Sequence, residues 1–236
     1  MKASNKPFAV IIFGSPGSGK STQAELIAQK YGMVHFNTGK YIERYIYDPI
    51  TRNSAGAKKA RHEFETGLLV DPSVVLNITT AQINRLARQK ESIIFSGSPR
   101  TEYETFGTKS KKGVADMLTK TYGKNRVLIF KLDLPEKTAA ERNKKRVVCS
   151  VCKMPLLGAA MNLKLKKCPF CGGKLYKRSL DTEKIIRERF KEYENRTLPI
   201  FAGLRKKGFT IRTISAKPLP YKIFTHISKK IDSLLD

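Results

Sequence analysis

Short apolar runs and amphipathic stretches alternate along the whole chain. Residues 8–13 (FAVIIF), 92–96 (SIIFS) and 126–132 (RVLIFKL) are nearly continuous in apolar, largely β-branched or aromatic residues. Runs of this length and composition read as strands buried on both faces. Residues 33–36 and 210–214 are shorter strand candidates. Helical patterns fall between them. Residues 23–30 are good helix formers, and 37–44 look like a turn opening a helix with Asn37 or Thr38 as its cap. Asp71-Pro72-Ser73 starts another helix, with Val74, Val75, Ile78, Ala81, Ile83 and Leu86 at helical spacing. Residues 113–121, 135–146, 181–204 and 221–235 complete the set, while residues 45–70 read as short helices in a small insertion. Strands alternating with helices predict an α/β fold, a mainly parallel sheet covered by helices on both faces. Ligands of such sheets sit at the carboxyl ends of the strands.

The first strand candidate runs into Gly14-Ser-Pro-Gly17-Ser18-Gly19-Lys20-Ser21-Thr22, which fits G-x-x-x-x-G-K-[ST] without a mismatch. Strand, glycine loop and helix in that order make the match a physical site. Gly14, Gly17 and Gly19 let successive N–H groups point inward at an anion, and the helix N-terminus adds partial positive charge. Lys20 reaches the terminal phosphates of a nucleotide, and the Ser21 hydroxyl is placed to hold Mg²⁺.

The chain has 236 residues, enough for one sizeable domain with insertions. No apolar run reaches the length of a bilayer crossing, so no membrane partner is expected. Excision of a signal peptide would remove the first strand with its loop, so a cytoplasmic location is expected. Lys and Arg number 46 against 20 Asp and Glu, a net charge of +26. Much of this excess is spread evenly. Between Glu141 and Asp181, however, there is no acidic residue and a dense series of Lys and Arg, which predicts a strongly positive local field.

All four cysteines lie in that segment, as Cys149-x-x-Cys152 and Cys168-x-x-Cys171 with fifteen residues between the pairs. Two such pairs at this spacing are a zinc pattern. Four thiolates close a tetrahedron and leave no open position, so the Zn²⁺ would be structural. A disulfide pair or a redox pair fits poorly in a chain without an export signal.

In these ordered motifs the chain resembles the adenylate kinases with a zinc-binding lid, within the nucleoside monophosphate kinase family. The resemblance covers nearly the whole chain. It implies a P-loop core (residues 1–37, 71–148 and 180–236), a monophosphate-binding insertion (38–70) and a zinc-binding lid (149–179). It implies ATP binding by the loop from Gly14 to Thr22 and by Arg142. It assigns the monophosphate to Thr38, Gly39, Arg44, Leu69, Val70, Gly97 and Arg100, the last two in a G-x-P-R-T turn. Lys20, Arg146, Arg178 and Arg189 would gather round the transferring phosphoryl group. The implied reaction is reversible transfer from Mg-ATP to AMP giving two ADP, by a monomer, with no nucleic-acid partner. The histidines His35, His62 and His226 need no catalytic role, because an acceptor phosphate is already nucleophilic.

Three positions depart from the family pattern. Ser96 replaces an aspartate before the turn, Ser21-Thr22 replaces Gly-Thr after the loop lysine, and Glu104 replaces a glutamine. An ionised Glu104 only accepts hydrogen bonds, whereas guanine offers two donors. Glu104 is therefore expected to read the acceptor base and to relax discrimination against GMP. A kinase for GMP, CMP or UMP remains an alternative. So do a non-catalytic P-loop regulator and a zinc-ribbon RNA-binding protein, although few aromatic residues accompany the cysteines.

Overall fold

The computed structural model describes residues 6–156, 165–178 and 181–235. Its centre is a five-stranded parallel sheet of β1 (Ala9–Gly14), β2 (Val34–Asn37), β3 (Ile93–Ser96), β4 (Val127–Asp133) and β8 (Ile211–Ser215), in the order β2-β3-β1-β4-β8. Every residue of β1 and β3 is buried, as their unbroken apolar runs predict. Pleating then sends alternate residues to opposite faces. Ala9, Ile11 and Phe13 of β1 join one core, with α4 (Pro72–Arg88), α6 (Val114–Tyr122) and α9 (Ile200–Lys206) packed over it. Val10 and Ile12 join the other, under α1 (Lys20–Tyr31), α7 (Glu136–Lys144), α8 (Glu183–Glu192) and α10 (Pro220–Leu235).

The chain leaves β1 towards β2, fills the gap with β3, and then crosses to β4 on the other side of β1. That reversal opens a crevice beyond the carboxyl ends of β1 and β3. Two smaller units border it. One is a helix pair, α2 (Thr38–Tyr47) and α3 (Ala55–Thr66), whose own core joins Ile42, Ile46, Ala60, Val70 and Val75. The other is an antiparallel sheet of β5 (Val147–Cys149), β6 (Pro155–Leu156) and β7 (Leu175–Tyr176).

Two elements differ from expectation. The helix expected over 181–204 is broken. A π-turn, Tyr193–Thr197, follows α8, with Leu198 N donating to Tyr193 O across five residues at 3.0 Å, and α9 starts only after Pro199. Proline lacks the N–H that would continue the α ladder, and the wider turn absorbs the loss. A five-residue helix, α5 (Glu102–Phe106), was too short to show periodicity. No helix among the described residues is long and apolar enough to cross a membrane.

Asp71 joins the helix pair to the main body. Its Oδ1 accepts from Ser73 N at 2.9 Å and Ser73 Oγ at 2.7 Å, capping α4, while Oδ2 lies 3.0 Å from Lys59 Nζ on α3. The Ser73 donors, then Lys59, hold its carboxyl down to about 2. Asp71→Ala is expected to destabilise the fold by about 1 kcal/mol at neutral pH, the usual worth of such a cap. Because the folded-state pKa is depressed, this contribution is present above the ordinary carboxyl value of about 4 and fades as pH falls towards about 2. Denaturant melts of both proteins across that range check it. A difference that does not shrink in acid would refute the charge contribution.

Candidate functional site

The phosphate loop joins β1 to α1. Ser18 N donates to Ser15 O at 3.1 Å, tightening the turn. Gly17 has φ 86° and sits so close to α7 that a Cβ there would lie 2.5 Å from Ala139 O and 2.6 Å from Asn143 Nδ2. Only glycine fits that approach. Gly19, also left-handed, sits at the N-cap of α1 and leaves its first N–H groups free to meet an anion. Lys20 opens α1 and turns back, its Nζ donating to Gly14 O at 2.7 Å and Ser15 O at 2.8 Å. Ser21 is exposed beside it and Thr22 half-buried. The hydroxyls of Ser15 and Ser18 are buried without a hydrogen-bond partner, as expected of an anion cradle.

Across the crevice, the turn after β3 carries Gly97, a cis Ser98–Pro99 bond and Arg100. With Lys20, Gly67, Leu69 and Arg189 they line one cleft. Thr197 Oγ1, presented by the π-turn, donates to Arg100 O at 3.0 Å and fixes the turn from behind. Thr38 opens α2, buried and with its hydroxyl unpartnered, and Gly39 follows it. Val70 is buried in the core of the helix pair rather than on the cleft wall.

The cleft is strongly cationic. Burial, then Arg100, Arg189 and Arg146, lowers the pKa of Lys20 well below its ordinary value. Burial, with Arg100, Arg146 and Arg178, brings Arg189 down to about 9. Burial and Arg146 also lower Arg178. Lys20, Arg100 and Arg189 line the cleft together, with Arg146 acting electrostatically on Lys20 and Arg189, and Arg178 on Arg189. Arg189 Nη1 is buried without a partner. Asp181 holds Arg146 in a two-pronged pair, Nε to Oδ2 at 2.8 Å and Nη2 to Oδ1. Such a fork fixes a guanidinium's plane. An arrangement of five cations around one crevice can hold several phosphoryl oxygens at once and spread the charge of a transferring phosphoryl group.

The four cysteine sulfurs lie within 4.8 Å of one another. Cys149 Sγ is 3.4 Å from Cys171 Sγ, and Cys152 Sγ is 3.7 Å from Cys168 Sγ. A tetrahedron with Zn–S bonds of about 2.3 Å has S···S edges of about 3.8 Å, so the donor set fits that ion. The second turn closes through Gly172 N to Cys168 O at 2.9 Å, and a Cβ at Gly173 would lie 2.8 Å from Cys149 Sγ. Burial would raise the Cys149 thiol, yet the N–H groups of Val151 and Cys152 and the thiols of Cys171 and Cys152 bring it down to about 6. The described part of this segment holds the cluster; residues 157–164, which carry the middle of the expected lid, lie outside the described residues.

Three side chains expected at the nucleotide lie off the cleft in this structure. Glu104 is not on the cleft wall. It is 2 % exposed and turned under the loop, where Oε2 accepts from Ser98 Oγ at 2.9 Å and Arg100 N at 3.0 Å, and Oε1 accepts from Thr101 Oγ1 at 3.1 Å. These donors exist because the turn reads Gly-Ser-Pro-Arg-Thr, so Glu104 braces Arg100 rather than facing a base. Arg44 is exposed on α2 beside Tyr41, Asp48 and Thr51, away from the cleft. Arg142 donates from Nη1 to Ala216 O at 2.8 Å and from Nη2 to Lys217 O at 3.0 Å, pinning the loop before α10. Sequence reasoning also missed Thr197 and the Asp181–Arg146 fork. The acidic position of Asp181 was visible, but not its partner.

The chain from residue 12 to residue 209 matches the family model for adenylate kinase. The adenylate kinase of Thermococcus kodakarensis is 30 % identical over 96 % of this chain and 93 % of its own length. That of Archaeoglobus fulgidus is 28 % identical over 96 % of this chain and 97 % of its own. That of Petrotoga mobilis is 30 % identical over 84 % of this chain and 86 % of its own. A phosphate loop, a facing arginine turn and a cationic cleft between them agree with these matches, and the chain belongs to the adenylate kinase family of nucleoside monophosphate kinases.

Proposed function

We propose that this chain transfers the γ-phosphoryl group of Mg-ATP to AMP, reversibly, as a cytoplasmic monomer with a zinc-stapled lid. The observation that carries this is that Lys20, Arg100 and Arg189 line one crevice beside the phosphate loop, with Arg146 and Arg178 close enough to act on them electrostatically. The loop from Gly14 to Thr22 takes the ATP phosphates. Arg100 holds the acceptor phosphate, with Thr38, Gly39 and Leu69 at the acceptor side. The Ser21 hydroxyl would hold the Mg²⁺ that accompanies ATP, and that ion would neutralise part of the phosphate charge. Lys20, displaced from the Gly14 and Ser15 carbonyls, donates to the transferring group. Arg146, Arg178 and Arg189 stabilise its charge. Closure of the segment around the cysteines excludes water from the reaction, and inward movement of α2 brings Arg44 to the acceptor. With Glu104 turned into the loop, its carboxylate does not favour guanine, which supports AMP as the acceptor.

Parallel assays with ATP and AMP, GMP, CMP or UMP test the acceptor. AMP is expected to give the highest kcat/KM, and a higher value for any other monophosphate would overturn the specificity. In the same assay, Lys20→Ala should lower kcat on the order of a hundredfold, since a donor aimed at the transferring group is lost. Near-normal turnover of the folded variant would remove Lys20 from the reaction.

Glu104→Gln separates bracing from base reading. It should raise KM for AMP and GMP together, leaving their ratio within about twofold, because one acceptor of the Ser98, Arg100 and Thr101 donors is replaced by an amide N–H. A changed ratio would restore Glu104 to the base.

Protein purified without chelator should carry one zinc per chain. Its removal should lower the melting temperature and expose the cysteine segment to protease before the sheet core. Metal-free protein with unchanged stability would refute the staple.

A further inference from the structure

Four polar side chains run in file from solvent to the phosphate loop, and the phosphate chemistry above uses only the last of them. His35 of β2 has Nδ1 2.7 Å from Glu25 Oε2 and Nε2 2.7 Å from Ser96 Oγ. Ser96 Oγ lies 3.4 Å from Ser21 Oγ, placed to donate to it. Ser21 and Glu25 are one turn apart on the same face of α1, and Ser96 closes β3 in register with Asn37 of β2. The Glu25 side chain is 46 % exposed and that of His35 10 %, while Ser96 is 3 % exposed. The file is wet at the carboxylate and dry at the serine.

Hydrogen-bond bookkeeping sets its direction. A carboxylate only accepts, so Nδ1 of His35 carries a proton towards Glu25. Burial, against the pull of Glu25, lowers the His35 pKa from its ordinary value, which favours a ring with a single proton and a bare Nε2. A bare Nε2 at 2.7 Å needs a donor, and the Ser96 hydroxyl supplies it. A serine has one proton to give. Directed to His35, it is withheld from Ser21 Oγ, whose lone pairs then stay open towards the loop. With the other tautomer, Nε2–H would donate to Ser96, whose proton would turn to Ser21 and occupy a lone pair there.

We propose that Glu25 and His35 are positioning residues for the Ser21 hydroxyl: they draw the Ser96 proton away from it, so that the Ser21 oxygen is free to ligate the nucleotide's divalent cation. The proposal rests on the reading of Ser21 as that cation's ligand. The exposed Ser21 oxygen at the loop's end and an inward-braced Ser96 hydroxyl fit a hard cation that takes oxygen donors.

The test has a spectroscopic and a binding arm. In ¹⁵N-histidine spectra of the parent protein near neutral pH, His35 should show a protonated Nδ1 and a bare Nε2 resonance that moves in Ser96→Ala. Glu25→Gln replaces the pure acceptor with a side chain that also donates, so the tautomer loses its bias. Calorimetric titration of ATP affinity against Mg²⁺ should then need about three- to tenfold more Mg²⁺, the worth of one hydrogen bond. That increase should vanish in the Ser96→Ala background, where no hydroxyl remains to turn. A protonated Nε2 in the parent would overturn the proposal, as would an equal effect of Glu25→Gln with and without Ser96. A Mg²⁺ titration unmoved by Ser21→Ala would remove the ligand itself and overturn both readings. One moved by Ser21→Ala but not by Glu25→Gln would overturn the positioning alone.

Discussion

Five cations converge where water is scarce, and much of the surrounding structure answers to that constraint. Burying Lys20, Arg100, Arg178 and Arg189 costs desolvation, to which neighbouring guanidinium groups add repulsion at Lys20, Arg178 and Arg189, and the pKa values of these four groups fall. The fold offsets this locally. Asp181 takes Arg146, the Gly14 and Ser15 carbonyls take Lys20, and the buried Glu104 stands beside Arg100. Arg189 Nη1 and the Ser15 and Ser18 hydroxyls are left unpartnered. A polyanionic ligand completes the charge balance, so stability and affinity draw on the same unmet interactions.

The sheet and its helices were legible in the sequence because burial on both faces writes itself as unbroken apolar runs. β1, β3 and β4 could hardly be read otherwise. The phosphate loop was legible because its glycines are required by close approach, as Gly17 against Ala139 shows. The cysteine cluster was legible from spacing alone, since two tight turns each bring two sulfurs to one point.

What stayed hidden depends on partners far apart in the chain. Glu104 could be matched to a base-reading position by counting from Arg100, but its direction is set by Ser98 and Thr101, whose hydroxyls pull it under the turn. His35 looked unremarkable as a strand residue until Glu25 and Ser96 were found at its two ring nitrogens. Arg44 and Arg142 were placed by motif, and a motif carries no information on which carbonyl or which groove holds a long side chain in a given conformation.

The π-turn at Tyr193–Thr197 bears on how this chain tolerates change in length. Surface loops absorb added or missing residues because nothing downstream depends on their phase. Here the phase matters. Losing one residue from the wide turn would rotate everything beyond it by about 100° about the helix axis. Ile200, Phe201 and Leu204 would swing off the sheet core, and Thr197 would leave the Arg100 carbonyl. A stretch that looks like an imperfection in a helix thus acts as a spacer of fixed length. Homologous chains that keep this cleft should vary in sequence across the four positions before Thr197 far more readily than in the number of residues in the turn.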